Sequence, residues 1–339
     1  MTPRRRGRLA AAAAGAGALG LAGVRALRPK ASPGAGPPAP GPHISADTAG
    51  YRGGSGTPLL LLHGFSATWR AWKPILPLLE RHHDVIAPTM LGHSGADPLA
   101  DGVAPSVDAL VDGVIAELDR LGLDKVHVVG NSLGGWIALE VARRGRARSV
   151  VALAPGGAWH SNARMAVAVT SLRVMLYGAK HHQDLLEKLV SRQRIRYAML
   201  APVVARPERV AVEDFIADLR SIKSAPVLLQ LLRSVTQHPL RPLPDPGCPV
   251  RIVWGDQDRL IPFEHFGRPM LARVPDAELV MMHRVGHVPM WDEPEKTTEL
   301  ILEVTGKIDL SRPGGPPGTP SAASSPGDAR HRLEPRVDP

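Results

Sequence analysis

The chain has 339 residues, 44% hydrophobic and 22% charged, an ordinary balance for a globular core and enough for one large α/β domain or two small ones. The net charge of +9 sits mostly at the N-terminus, where residues 1–46 hold seven basic residues and no acid, so residues 47–310 are close to neutral and the basic balance does not indicate a nucleic-acid surface. The single cysteine, Cys248, excludes an intrachain disulfide and reads as a buried, inert thiol ahead of the apolar run 249–254.

Arg4-Arg5-Arg6-Gly7-Arg8 precedes a weakly apolar Ala/Gly/Leu run from Leu9 to Val24. A charged front and an apolar middle resemble an export signal of the twin-arginine type, with Val24-Arg25-Ala26 at a cleavage-like spacing. The alternative is an Ala/Gly-rich disordered extension of a cytoplasmic protein. Both readings cover residues 1–43, and the Pro/Gly/Ala-rich stretch 29–42 reads as linker.

The globular part opens near Ile44. Pro58 to Leu62 reads as a central strand buried on both faces, followed by His63-Gly64-Phe65. A helix is expected over Trp72–Arg81 and a strand over Asp84–Ala87. After Ser106, Val107, Leu110, Val111, Val114, Ile115, Leu118 and Leu121 form a helical stripe closed by Gly122. Val126, Val128 and Val129 form the next strand. It runs into Gly130-Asn131-Ser132-Leu133-Gly134 and then into the helix-compatible segment Trp136–Ala142. So sharp a strand-to-helix turn strains its central residue and leaves no room for side chains two positions away on either side. It lifts the Ser132 hydroxyl above the sheet edge at a helix N-terminus, where backbone N–H groups favour negative charge.

Ser149–Ala154 is another buried strand. From 157 to 244 there are helical stripes and no convincing strand, among them Met165–Leu176, Phe215–Ile222 and Val227–Val235. This stretch reads as a helical cap inserted between two sheet strands; further core helices packed on the sheet are the alternative. Alternation resumes with the strand Val250–Trp254, a helix near Phe263–Val274 and the strand Glu278–Met282. A last helix is expected from Asp292, in a capping box with Glu295, to Gly306. The Pro/Gly/Ser-rich tail 311–339 reads as disordered. The fold class is therefore α/β: a doubly wound, mostly parallel sheet, with core segments 44–156 and 245–310.

A serine hydroxyl is a weak nucleophile until a base takes its proton, and the base needs an orienting acid. In a doubly wound sheet these groups belong on loops at the C-terminal strand ends. Gly255-Asp256-Gln257-Asp258 follows one strand and Gly286-His287 follows the next, giving the chain order Ser132, Asp258, His287. Asp256 remains a rival for the acid.

Taken together, four pieces resemble the α/β-hydrolase-fold serine hydrolases of the cap-bearing esterase and carbon–carbon hydrolase type. They are His63-Gly64-Phe65, Gly130-Asn131-Ser132-Leu133-Gly134-Gly135, Gly255-x-x-Asp258-x-x-x-Pro262, and Gly286-His287-x-Pro289-x-x-x-Glu293-Pro294. The resemblance spans residues 50–305. It implies Ser132 as nucleophile, His287 as general base and acid, and Asp258 as the orienting acid. It implies an oxyanion hole from the backbone N–H groups of Phe65 and Leu133. His63 reads as a brace for its loop. Thr89-Met90-Leu91-Gly92-His93-Ser94 departs from the family's turn there, and His93 is expected at the surface. The family's opening two-strand hairpin has only residues 44–51 to draw on, so its first strand is expected to be missing or irregular.

Trp136, Trp159 and Trp291 are candidates for an aromatic substrate-pocket wall. His160, His181, His182 and His265 have no metal-ligand spacing, so no metal and no cofactor are expected. The expected reaction is hydrolysis of an ester, or a similar acyl bond, of a small-to-medium apolar substrate through an acyl-serine. Carbon–carbon hydrolysis, suggested by Asn131 beside the serine, and cofactor-free haloperoxidase or acyltransferase chemistry use the same triad. A ligand-binding receptor of the same fold is the non-enzymatic alternative.

Overall fold

The computed structural model describes residues 50–159 and 163–311. The expected extension or export signal over 1–43, residues 44–49, His160 and the tail beyond Ser311 lie outside the described residues.

Seven strands form one sheet in the order β1-β3-β2-β4-β5-β6-β7. They are β1 (Gly50–Gly54), β2 (Thr57–Leu62), β3 (His83–Pro88), β4 (Val126–Asn131), β5 (Ala147–Leu153), β6 (Val250–Gly255) and β7 (Glu278–Met282). Only β1 runs antiparallel, against β3. It is the one strand before β2 among the described residues. The central strands read as continuous apolar runs because both sheet faces are covered. Side-chain alternation divides them. Leu60, Leu62, Val128, Val150 and Ile252 point to one core layer. Leu59, Leu61, Val129, Val151 and Val253 point to the other.

Helices α2 (Val107–Arg120), α3 (Leu133–Arg143) and α9 (Phe263–Arg273) pack on the first face. On α2 the helical stripe is buried as expected. Ser106 caps it by accepting the Ala109 N–H at 3.1 Å, and Gly122 closes it at φ 69°. The second face carries α1 (Leu76–Leu79) and α11 (Pro294–Leu310). Here two expectations change. The helix expected over Trp72–Arg81 is a 3-10 turn at Trp69–Trp72 followed by the single-turn α1. Pro74 and Pro77 interrupt any longer ladder, because each lacks an N–H. The last helix begins at Pro294, after the one-turn α10 (Pro289–Asp292), and passes through Gly306 to Leu310. Its cap position is Glu293, without a side-chain capping bond, so the Asp292–Glu295 capping box does not form.

Between β5 and β6 the described residues form only helices: α4 (Ala163–His181), α5 (Gln183–Val190), α6 (Gln193–Leu200), a 3-10 turn at Pro207–Arg209, α7 (Val212–Lys223) and α8 (Leu228–Gln237). Helices α5 and α6 were not separated by periodicity, since each spans only two turns. No described helix is long and apolar enough to cross a membrane.

Candidate active site

The sheet delivers four loops to one edge. At the end of β4, Ser132 adopts φ 56° and ψ −112°, a conformation that ordinary L residues avoid. The flanking glycines explain how the turn closes. A Cβ at Gly130 would lie 2.1 Å from the Gly134 carbonyl oxygen, and one at Gly134 would lie 2.0 Å from that of Leu62. Both obstacles are backbone and cannot move aside. The turn is also pinned from outside: the Ser132 N–H donates to the Leu153 carbonyl at 2.9 Å, and the Ser132 carbonyl accepts from Gly156 at 2.9 Å.

After β6, Asp258 is 4% exposed. Its Oδ1 accepts the N–H groups of Leu260 (3.0 Å) and Ile261 (2.8 Å), which fixes the carboxylate plane. Its Oδ2 lies 2.8 Å from Nδ1 of His287, itself 3% exposed on the loop after β7. With Nδ1–H committed to Asp258, Nε2 is left as the acceptor, and it has no hydrogen-bond partner among the described residues. Asp256, the rival acid, faces elsewhere: it accepts from His283 Nδ1 at 2.6 Å and from the Arg284 N–H at 2.7 Å, both exposed.

The loop after β2 carries Phe65. A Cβ on Gly64 would sit 3.6 Å from the Ser132 Cβ, so this loop lies against the serine. Leu133 opens α3, where the N–H has no intrahelical partner. His63 is fully buried. Its Nδ1 meets the Gly64 carbonyl at 2.8 Å and its Nε2 accepts the Met90 N–H at 2.9 Å, so the ring is the neutral Nδ1–H tautomer. The Gly64 carbonyl belongs to the same peptide unit as the Phe65 N–H, and the brace therefore orients that donor. His93 is buried and not at the surface. Expected at the surface, it is 2% exposed, with Nε2 2.9 Å from the Phe65 carbonyl and its ring edge-on to His63 at 4.9 Å. The departure at Thr89–Ser94 thus supplies a second brace to the Phe65 loop.

Burial, with the neighbouring His93, lowers the pKa of His63 to about 3. Burial also lowers His83, His93 and His127. A histidine whose folded pKa is depressed binds its proton more readily in the unfolded chain. Its contribution is present above the unfolded value near 6.5 and is lost as pH falls towards the folded one. Between pH 6 and 4, His63 alone is expected to remove on the order of 1 kcal/mol of stability per pH unit. Urea unfolding at pH 7.0, 5.5 and 4.5 measures this. A midpoint unchanged between pH 7.0 and 4.5 would contradict it.

Of the three tryptophans, Trp136 and Trp159 meet edge-to-face with centroids 5.6 Å apart. Trp136 is 3% exposed in the first turn of α3 and packs on Gly157; Trp159 lies over Gly156, beside the Ser132 turn. Trp291 is anchored differently. Its indole N–H donates to the Ala71 carbonyl at 3.1 Å, and the ring borders a surface groove with Lys73, Arg209 and Asp214. No cluster of three His, Cys, Asp or Glu side chains suited to a metal ion occurs among the described residues.

One residue beside the serine has a role its identity alone did not reveal. Asn131 Nδ2 donates to the carbonyls of His287 (2.9 Å) and Leu153 (3.1 Å), tying the serine turn to the histidine loop.

A strained serine at the turn from β4 into α3 and a buried acid–histidine pair on the loops after β6 and β7 lie on strand ends of one doubly wound sheet. The model of the alpha/beta hydrolase family matches residues 59–300, and the chain belongs to that family as an enzyme of this fold. It is similar to the epoxide hydrolase EphH of Mycobacterium tuberculosis, 35% identical over 196 residues, covering 57% of this chain and 91% of that protein. It is also similar to a 2-hydroxy-6-oxo-6-phenylhexa-2,4-dienoate hydrolase of Burkholderia cepacia, 26% identical over 268 residues, covering 74% and 88%. Among solved structures, a thermophilic esterase from Thermogutta terrifontis superposes with a TM-score of 0.62 at 24% identity, covering 77% and 93%.

Proposed function

We propose that the chain is a serine hydrolase that cleaves esters of small-to-medium apolar acyl groups. The observation that carries this reading is the 2.8 Å Asp258–His287 bond on the strand ends beside a strained Ser132. In the proposed reaction Ser132 Oγ attacks the acyl carbonyl and its proton passes to His287 Nε2. Asp258 stabilises the imidazolium. The N–H groups of Phe65 and Leu133 hold the oxyanion. The alcohol leaves with the proton from His287, and the acyl-serine remains. Water, deprotonated by the same nitrogen, then releases the acid.

The nucleophile argues against epoxide opening as the reaction of this chain. An aspartate that opens an epoxide becomes an ester, which water can hydrolyse. A serine that did so would become an ether, with no carbonyl for water to attack, and the enzyme would stop after one event. Carbon–carbon hydrolysis of a ring-fission dienoate shares the triad. The amide of Asn131 gives it no separate support, since both its hydrogens are spent on backbone carbonyls.

In this reading residues 157–244 form a cap over the acyl group, and the Trp136–Trp159 pair borders the pocket. Arg192 and Arg194 are exposed, and Arg196 donates to the Val190 carbonyl at 2.9 Å. Each further buried methylene adds ~0.8 kcal/mol, or about fourfold in kcat/KM, until the pocket is full. With p-nitrophenyl esters, kcat/KM is expected to rise from acetyl to butyryl or hexanoyl and then level or fall. A preference for acetate, for a charged acyl group or for a ring-fission dienoate would overturn the reading.

A further inference from the structure

Asp292 has no place in the proposed chemistry, yet it is 0% exposed and its carboxylate is fully engaged. Its Oδ2 accepts the N–H groups of Gly286 (2.7 Å) and Ala205 (3.0 Å), and its Oδ1 accepts that of Arg206 (2.8 Å). Gly286 immediately precedes His287. Ala205 and Arg206 belong to the insert between β5 and β6, just after α6. One buried carboxylate thus spans two segments far apart in the chain. The join is reinforced around it. The His287 N–H donates to the Val203 carbonyl at 2.7 Å. The Asp292 carbonyl accepts from the guanidinium groups of Arg206 (3.1 Å) and Arg209. A Cβ on Gly286 would lie 2.7 Å from the Val203 carbonyl oxygen and 2.9 Å from the Ala205 nitrogen, so the two backbones are flush.

From this geometry we infer that Asp292 is a positioning residue: it fastens the insert to the loop bearing His287, so that the base is aligned only while the insert is seated. The inference rests on His287 acting as the base for Ser132. The backbone of His287 is held on one side by the insert, through Val203, and on the other by Asn131. Its ring is aimed by Asp258. Loss of the Asp292 join frees the first of these three supports and leaves the other two. A misplacement of about 1 Å in a reacting group is enough for a loss near 10²-fold.

The test compares Asp292→Asn with wild type as folded, monodisperse enzyme. The amide can keep the Oδ2-side acceptor for Gly286 and Ala205 but turns an N–H towards the Arg206 N–H, which replaces one of the two insert bonds by a donor–donor clash and loosens the join. The expected result is a fall of ~30- to 100-fold in kcat and in the rate of fluorophosphonate labelling, with KM for a butyryl ester within about threefold. Arg206→Met leaves the carboxylate untouched and removes the guanidinium bond to the Asp292 carbonyl together with the ion pair to Glu293. It is expected to lower both rates about three- to tenfold, and it decides the matter alone if Asp292→Asn does not fold. A purely structural role would lower the melting temperature and leave both rates per folded molecule within twofold of wild type, which would overturn the inference. Wild-type enzyme that neither labels nor turns over esters would overturn the Ser132 reading, and this inference with it.

Discussion

Replacing Ser132 or His287 by alanine is expected to lower ester turnover at least ~10³-fold and to leave the fold intact. Neither side chain contributes to a core layer. The strain at Ser132 is set by its neighbours: Gly130, Gly134 and the bonds to Leu153 and Gly156 persist when the hydroxyl is removed. His287 is held through its backbone by Val203 and Asn131, which an alanine retains. The two losses should be similar, and the double variant little worse than either, because nucleophile and base act as one unit. Steady-state kinetics on a butyryl ester, with circular dichroism on the same samples, measures this. Activity within tenfold of wild type in Ser132→Ala would remove the serine from the mechanism.

Asp258→Asn is expected to lower kcat by about 10³- to 10⁴-fold, and Asp256→Asn by less than threefold. The first substitution is nearly isosteric, and its amide oxygen can still accept from Leu260 and Ile261. Its NH2 group then faces Nδ1 of His287, so the ring proton moves to Nε2. A ring protonated at Nε2 cannot take the proton of Ser132. Asp256 accepts from His283 and the Arg284 N–H at an exposed corner and makes no hydrogen bond to the buried pair. The reverse ranking in kcat would transfer the acid's role to Asp256.

The central strands β2, β4, β5 and β6 were legible because they are β-branched or Leu runs, and burial on both faces leaves little ambiguity; the Gly-rich, half-exposed β1 gave no such signal. Helix α2 was legible for the same kind of reason, with a capping serine, a clear stripe and a closing glycine. The errors fall where local signals are weak or compete. Pro74 and Pro77 broke an expected helix into two short pieces. Gly306 resembled a terminator, but α11 continues past it to Leu310. The candidate site was visible as four short motifs, each anchored to a strand end. What the sequence did not reveal was the support around them. His93 looked like a loop residue, yet it is buried between the Phe65 and Leu91 carbonyls. Asp292 looked like a helix cap, while its carboxylate joins two loops that periodicity cannot bring together. Such partners are set by tertiary approach and not by spacing along the chain. Their signal was chemical: a histidine and an acid placed near motif residues, with no role yet assigned.

The most direct measurement is covalent labelling of the full chain with a fluorophosphonate, followed by peptide mass spectrometry. This probe reacts with a serine activated by a base and supplied with an oxyanion hole. One adduct is expected, on the peptide containing Ser132, abolished in Ser132→Ala and strongly slowed in His287→Ala. An unlabelled protein, or an adduct on another residue that persists in Ser132→Ala, would contradict the proposed mechanism.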